Sequence, residues 1–332
     1  MGQLVSLDDI RAAASRIAAH VLRTPTLPSP GLSAHLGVPV TLKLELLQRS
    51  GSFKPRGAFN KLLGLSDAER AAGVVAVSGG NHGIGLADAA GALGIAATIV
   101  MPAAAPQRSI DIARAAGATV EVTPDMTGAF ALTEQLHAGG LTLVHPFDDA
   151  TVVAGAGTVG LEFATDAPDV TDVLVSVGGG GLIAGVAAAF RALLPGVRLW
   201  GVETVGADAM ARALAAGGPT PIAPTSIVST LSAPYVSQLT YDHFTALVED
   251  VVVVSDADAV RGSLTLAEEG KLWAEPAEGC VVAAANEVLE RVGPDARLGL
   301  LICGGNMTGA DLAGWTERFA ATPLAPRVTI PT

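Results

Sequence analysis

Asp172-Val173-Leu174-Val175-Ser176-Val177 runs directly into Gly178-Gly179-Gly180-Gly181-Leu182-Ile183-Ala184-Gly185. The first part is a near-continuous apolar, β-branched run, and the alanine-rich continuation has helical length, so the reading is strand, glycine turn, helix. Four glycines at such a junction let backbone N–H groups converge, which suits a phosphate dianion at a helix start. Packing alone would ask for one or two. Gly179, Gly181 and Ala184 also fit the G-x-G-x-x-A dinucleotide pattern, with Glu203 ending a later strand as a ribose ligand. On this motif alone a nicotinamide site stays open.

Runs of the same kind recur on both sides: Val74 to Val77, Ala97 to Met101, Thr119 to Val122, Leu141 to His145, Leu199 to Val202 and Leu298 to Cys303. Helical lengths separate them, as in parallel sheets covered on both faces, and the class is α/β. Residues 67–147 hold enough strand-helix units for a small sheet of their own. The expectation is a small lobe over 67–147 inserted into a larger one made of 1–66 and 148–332. Ile10, Ala13, Ala14, Ile17 and Val21 form one apolar helical stripe behind a capping-box start at Ser6 and Asp9. The last ten residues, with Pro323, Pro326 and Pro331, read as a loose end.

Composition narrows the field. Among 332 residues the formal charge is −12, which speaks against a nucleic-acid backbone or an anionic membrane as partner. Only Cys280 and Cys303 are present, too few for a zinc framework or a disulfide scaffold, and a reducing cytoplasm suits them. Residues 6–20 carry Asp8, Asp9 and Arg11 where a secretory signal needs an apolar run, so no export signal is expected. The uncharged stretch from Ala89 to Pro106 contains Gly91, Gly94, Pro102 and Pro106, and it reads as two short elements rather than a membrane span.

Three further motifs carry chemistry. Ser50-Gly51-Ser52-Phe53-Lys54-Pro55-Arg56-Gly57-Ala58 sets an amine in a turn beside an aromatic ring. Burial, or a cation such as Arg56, would lower the pKa of Lys54 enough for imine formation. Val74 to Val77 leads into Ser78-Gly79-Gly80-Asn81-His82-Gly83, where small residues before a helix can grip a carboxylate through backbone N–H groups. Asn81 is the contact candidate, and His82 alone reads as a structural histidine. Leu300-Leu301-Ile302-Cys303-Gly304-Gly305-Asn306 ends an apolar strand on a thiol and a close-approach diglycine.

Taken in this order, the four motifs resemble the fold-type II pyridoxal-phosphate enzymes, in the serine/threonine dehydratase (threonine ammonia-lyase) and serine racemase branch. The resemblance runs from Arg23-Thr24-Pro25 to Asn306 and includes His145-Pro146-Phe147-Asp148-Asp149 and Gly155-Ala156-Gly157-Thr158. It implies a two-lobed α/β fold, tryptophan synthase β-like, each lobe an open, mostly parallel sheet flanked by helices. It makes Lys54 the lysine that holds pyridoxal 5'-phosphate as an imine and carries protons, with Phe53 packed near the ring. Asn81 would contact the phenolic oxygen, Gly178, Gly179, Gly180, Gly181 and Leu182 the phosphate, and Cys303 the pyridine nitrogen. Ser78, Gly79, Asn81 and His82 would surround the carboxylate of a small amino-acid substrate.

A neutral thiol at the pyridine nitrogen does not deepen the electron sink, so the expected carbanion is short-lived and elimination is favoured. The implied reaction is dehydration and deamination of an L-threonine- or L-serine-like amino acid to a 2-oxo acid and ammonia. Racemisation or β-replacement on the same cofactor is the alternative. Gly79 stands where the racemases carry a second acid/base serine, and Ile227-Val228-Ser229-Thr230-Leu231 departs from the usual Ile-Ala-Asp-Gly-Leu. No lysine or arginine occurs between Arg114 and Arg191, which favours a monocarboxylate. The resemblance also implies a divalent or monovalent cation at Glu203 and the Ala207 carbonyl, with Ala209 where a third oxygen ligand is common. A cytoplasmic homodimer, without feedback through a C-terminal regulatory domain, completes the expectation. Lys54→Ala should abolish both the visible absorption of the bound cofactor and turnover, read by spectrum and keto-acid assay.

Overall fold

The computed structural model describes residues 3–327. The chain opens with α1 (Leu7–Ile17), β1 (Thr26–Pro28), α2 (Pro30–Leu36), β2 (Val40–Leu44), α3 (Lys54–Leu63) and α4 (Asp67–Ala72). Strict alternation follows: β3 (Val74–Val77), α5 (Asn81–Leu93), β4 (Ala97–Pro102), α6 (Gln107–Ala115), β5 (Thr119–Thr123), α7 (Met126–Ala138) and β6 (Thr142–Leu143). The remainder comprises α8 (Ala150–Asp166), β7 (Asp172–Ser176), α9 (Gly181–Leu193), β8 (Arg198–Thr204), α10 (Ala209–Ala216), α11 (Gln238–Leu247), β9 (Asp250–Val254), α12 (Asp256–Glu268), α13 (Pro276–Val292), β10 (Leu298–Ile302) and α14 (Gly309–Phe319).

Two sheets result. One has the order β1-β2-β10-β7-β8-β9, the other β5-β4-β3-β6. Every pairing is parallel except β1 with β2. The larger sheet is covered on both faces, as its unbroken apolar runs require. Leu174, Leu300 and Ile302 pack with α13 on one side, while Val173, Val175 and Leu301 pack with α8 and α9 on the other. From β7 the chain steps outward through β8 to β9, then returns to place β10 on the opposite flank of β7. Ligands of open α/β sheets bind outside the carboxyl ends of the strands at such a reversal. Gly178 to Gly180 leave the end of β7 there, and Cys303 leaves the end of β10.

The strands expected from sequence are present, with shifted ends. Leu141 to His145 pairs only at Thr142 and Leu143, because the chain turns at His145-Pro146. Strands β1, β2 and β9 fall outside the expected set, although Val251 to Val254 carries the same β-branched signal. The stretch from Ala89 to Pro106 divides between the end of α5 and β4. No helix among the described residues is long and apolar enough to cross a membrane. The C-terminal segment is not loose where it is described: Leu324 N–H donates to Thr265 Oγ1 at 2.8 Å and Arg327 N–H to His35 O at 2.8 Å. Pro331 lies outside the described residues.

Helix α3 is fixed by buried charge. Arg56 donates through Nε and Nη2 to Glu45 at 2.8 and 2.7 Å, and through Nη1 and Nη2 to Glu162 on α8 at 2.8 and 3.0 Å. Lys43 on β2 reaches Glu162 at 2.6 Å, so two cations meet two carboxylates. Arg56 and Glu45 are 1% and 0% exposed, which makes removal of one partner costly, since the other stays buried and unpaired. Arg56→Met is therefore expected to lower unfolding free energy by roughly 3–5 kcal/mol in a urea titration. Arg56→Lys should recover only part of the loss, because an ammonium cannot span two carboxylates as a planar fork does.

Candidate active site

The lysine loop is stitched to the end of β10. Phe53 N–H donates to Cys303 O at 3.0 Å, Ser52 bridges Gly304, and Asn306 Nδ2 donates to Ser50 O at 2.8 Å. Pro55 in the first turn of α3 needs no donor there, so the helix begins cleanly at Lys54. The amine of Lys54 lies 4.9 Å from the centre of the Phe53 ring and 3.4 Å from Pro146 O. The base of the side chain packs on α5, since a Cβ on Gly85 would come within 2.9 Å of Lys54 Cβ. Burial pulls its pKa down to about 8, partly opposed by the Cys303 thiol. Arg56 has no part in this, contrary to the expectation from sequence: it is locked between Glu45 and Glu162, leaving desolvation as the cause.

Gly178 to Gly181 wrap against the Phe147 ring and the start of α11. Gly180 has φ +87°, and a Cβ on Gly179 would stand 2.1 Å from the Phe147 ring. Cβ atoms at Gly180 and Gly181 would meet Thr240 and Phe147 at 2.9 Å. Close packing thus accounts for more of these glycines than the one or two it was expected to. Helix α9 nevertheless starts at Gly181 without a side-chain cap, so the leading N–H groups of Gly181 and Leu182 remain donors for an anion. That uncapped, glycine-walled helix start fits a phosphate.

Across the cleft, Ser78 to Gly80 lead into α5, whose N-terminus also lacks a side-chain cap. Ser78 Oγ accepts from Gly80 N–H at 3.2 Å. His82 is buried with Nε2 2.8 Å from Val144 O, and desolvation, together with nearby Lys54, drives its pKa down to about 3. It is a neutral, fixed ring. Asn81 is held by two residues that the sequence motifs did not single out for it. Its Nδ2 donates to Glu275 at 3.0 Å and its Oδ1 accepts from Asn306 Nδ2 at 2.8 Å. Glu275 also accepts Asn306 N–H at 2.7 Å, and burial raises its pKa. A glutamate just before Pro276 at a helix start was the available signal.

Cys303 is buried at the strand reversal, its Sγ 3.4 Å from Ser176 Oγ and 3.0 Å from Glu278 Oε1. Glu278 is a second buried acid that sequence reasoning passed over. Glu203 and Ala207 lie on one tight turn, with Ala207 N–H donating to Thr204 O at 2.8 Å. The Glu203 carboxylate, however, accepts N–H of Met210 at 2.8 Å and of Ala211 at 2.9 Å, capping α10. A cation would find one carboxylate already engaged and Ala209 without an oxygen, so these residues do not fit one as placed.

A family model described as pyridoxal-phosphate dependent enzyme matches residues 17–304. The chain belongs to that family. This pyridoxal-phosphate-dependent enzyme is 38% identical over 312 residues to a phenylserine dehydratase of Ralstonia pickettii, covering 93% of this chain and 96% of the relative. It is also 38% identical to an L-threonine ammonia-lyase of Thermotoga maritima, over 92% of this chain and 76% of that protein. The solved structure of maize serine racemase superposes with a TM-score of 0.88 at 32% identity, covering 96% of this chain and 98% of that one. The nicotinamide reading of the glycine run is thereby set aside.

The lowered pKa of Lys54 is directly testable on the cofactor-free enzyme. A lysine shifted from 10.5 to about 8 is mostly neutral above that value. Labelling by an amine-selective reagent, mapped by peptide, should give one fast lysine side chain whose rate rises with a midpoint near pH 8, and that site should be absent in Lys54→Ala. A midpoint near that of ordinary lysines would contradict the burial argument.

Proposed function

We propose that this enzyme is an ammonia-lyase that removes water and then ammonia from an L-threonine- or L-serine-like β-hydroxy amino acid, giving a 2-oxo acid. The observation that carries the reading is one amine, able to be neutral near physiological pH, set where the carboxyl ends of the two sheets meet. When bound, pyridoxal phosphate supplies the electron sink that makes the substrate Cα–H acidic. Gly178 to Leu182 hold its phosphate through backbone N–H groups, Phe53 packs by the ring, and Cys303 faces the ring nitrogen. Asn81, aimed by Glu275 and Asn306, keeps one amide hydrogen for the phenolic oxygen. Ser78, Gly79, Asn81 and His82 surround the substrate carboxylate at the start of α5, where the helix N-terminus favours an anion. Lys54 takes the α-proton.

Beyond Asn306 and Glu275 opens a cavity of about 310 Å³, whose apolar wall includes Ile84, Ile112, Ile227, Met307 and Trp315. That wall favours an apolar β-substituent, in keeping with relatives named for threonine and phenylserine. Arg49 pairs with Asp88 and Arg56 with Glu45, so neither is free for a second carboxylate. Arg108 does line the cavity, as does Asp311. In this reading residues 67–147 form the substrate lobe and 1–66 with 148–332 the cofactor lobe. The two buried free thiols suit the cytoplasm, and the exposed Leu22, Leu27 and Leu47 suit a homodimer face.

Elimination is favoured over racemisation because Gly79 offers no acid or base on the face opposite Lys54. A Cβ at position 79 would stand 2.9 Å from Ala105 Cβ, so a serine there needs room made for it. Wild-type enzyme given L-threonine or L-serine should release 2-oxo acid faster than D-isomer in parallel keto-acid and chiral assays. Gly79→Ser combined with Ala105→Gly should raise the racemised share. D-isomer as the main wild-type product would overturn the proposal.

A further inference from the structure

Tyr235 has no role in the scheme above, yet two neighbours hold it in one position beside the site. Its hydroxyl stands 3.2 Å from His145 Nε2, and its ring meets the Phe147 ring edge-on with centroids 5.6 Å apart. His145 Nδ1 accepts N–H of Asp148 at 2.8 Å and of Phe147 at 3.3 Å, so a neutral imidazole carries its hydrogen on Nε2. Burial lowers the pKa of His145, with Asp148 opposing and Lys54 assisting, and the ring is neutral at pH 7. Its one N–H therefore donates to the Tyr235 oxygen. The hydrogen of the phenol is left over, and nothing among the described residues accepts it. Burial, with Asp148 and Glu134 nearby, raises the pKa of Tyr235, so the hydroxyl stays a donor.

What holds this donor also places it. Pro146 O, between His145 and Phe147, is 3.4 Å from the Lys54 amine, and Phe147 itself walls Gly179 and Gly181. Tyr235 thus stands on the phosphate side of the lysine, whereas the apolar cavity with Ile84, Ile227 and Met307 opens beyond Asn306 and Glu275. A threonine-like substrate carries an apolar group and a hydroxyl on one carbon, and the two diverge. With the apolar group towards the cavity, the hydroxyl turns towards Tyr235. We infer that Tyr235 is the specificity-determining donor to the β-oxygen of the substrate, held in position by His145. This rests on the lyase reading given above. Negative charge gathers on that oxygen as its bond to Cβ breaks, so the hydrogen bond strengthens in the transition state and its effect falls on turnover as well as on binding. Asp148 and Glu134 act as a second filter, because their charge disfavours a carboxylate in the same place.

The test compares holoenzymes of wild type and Tyr235→Phe, a change that removes one half-buried oxygen and keeps the ring against Phe147. Each is given L-threonine, which must lose hydroxide, and β-chloro-L-alanine, which loses chloride, a weak acceptor that leaves as a stable ion. The variant's kcat/KM for L-threonine should fall at least about tenfold, mostly through kcat, while that for β-chloro-L-alanine stays within about twofold. The visible absorption and the dissociation constant of the cofactor should match wild type. Equal losses on both substrates would point to packing alone and overturn the inference, as would no loss on either. Weaker cofactor binding in the variant would overturn it too, by assigning the phenol to the phosphate. Wild-type enzyme that released 2-oxo acid from neither substrate would sink the lyase reading itself, a result separate from any difference between the two proteins.

Discussion

A guanidinium clamped between two carboxylates under the first turn of α3 is the constraint on which the site depends. Arg56 ties the segment after β2, through Glu45, to α8, through Glu162. Lys54 lies on that same turn, so its direction is set by charges it never meets. The cluster is neutral overall, with Lys43 as the second cation, and its ions are fully satisfied. That is the condition under which a buried ionic network confers position rather than loss of stability. With α3 pinned, the Lys54 amine can rest in an apolar pocket beside Phe53, and its lowered proton affinity follows from that location.

How much of this was legible depended on the kind of signal. The glycine run after β7 and the loop after β3 could be read because strand, turn and helix leave periodic marks in residue type. The two sheets followed. Arg56 was misread for a geometric reason: residues two apart on a helix project to different faces, so closeness in sequence to Lys54 meant distance in space. Glu275 and Glu278 were passed over because glutamates at a helix start usually face solvent and complement the helix dipole. Their burial comes from β10 and α5 closing over them, and no local pattern records that. The glycine quartet was partly misjudged too, since the Phe147 ring pressed against Gly179 belongs to a distant turn.

Two buried acids stand at the carboxyl end of β10. Glu275 orients Asn81 and Asn306 and so shapes the side of the cleft nearest the substrate. Glu278 stands behind Cys303, with its Oε1 3.0 Å from the thiol sulfur. At the start of α5, Gly79 is crowded by Ala105, whose Cβ would stand 2.9 Å from a Cβ placed there. The unpartnered Glu278 Oε2 costs stability, because a buried polar atom has lost water without gaining a partner.

The stitch between the lysine loop and the end of β10 joins residues 50–53 to residues 303–306. Asn306 and Ser50 are 256 positions apart in sequence. Contacts that close so long a loop form late, because the chain entropy must be surrendered before they return anything. A chain emerging from the ribosome therefore carries Lys54 through most of synthesis before the strand that ties down its loop exists. Until β10 inserts between β2 and β7, the loop before Lys54 lacks the Cys303 and Asn306 contacts that hold it. The architecture thus couples the final placing of Lys54 to the completion of the fold.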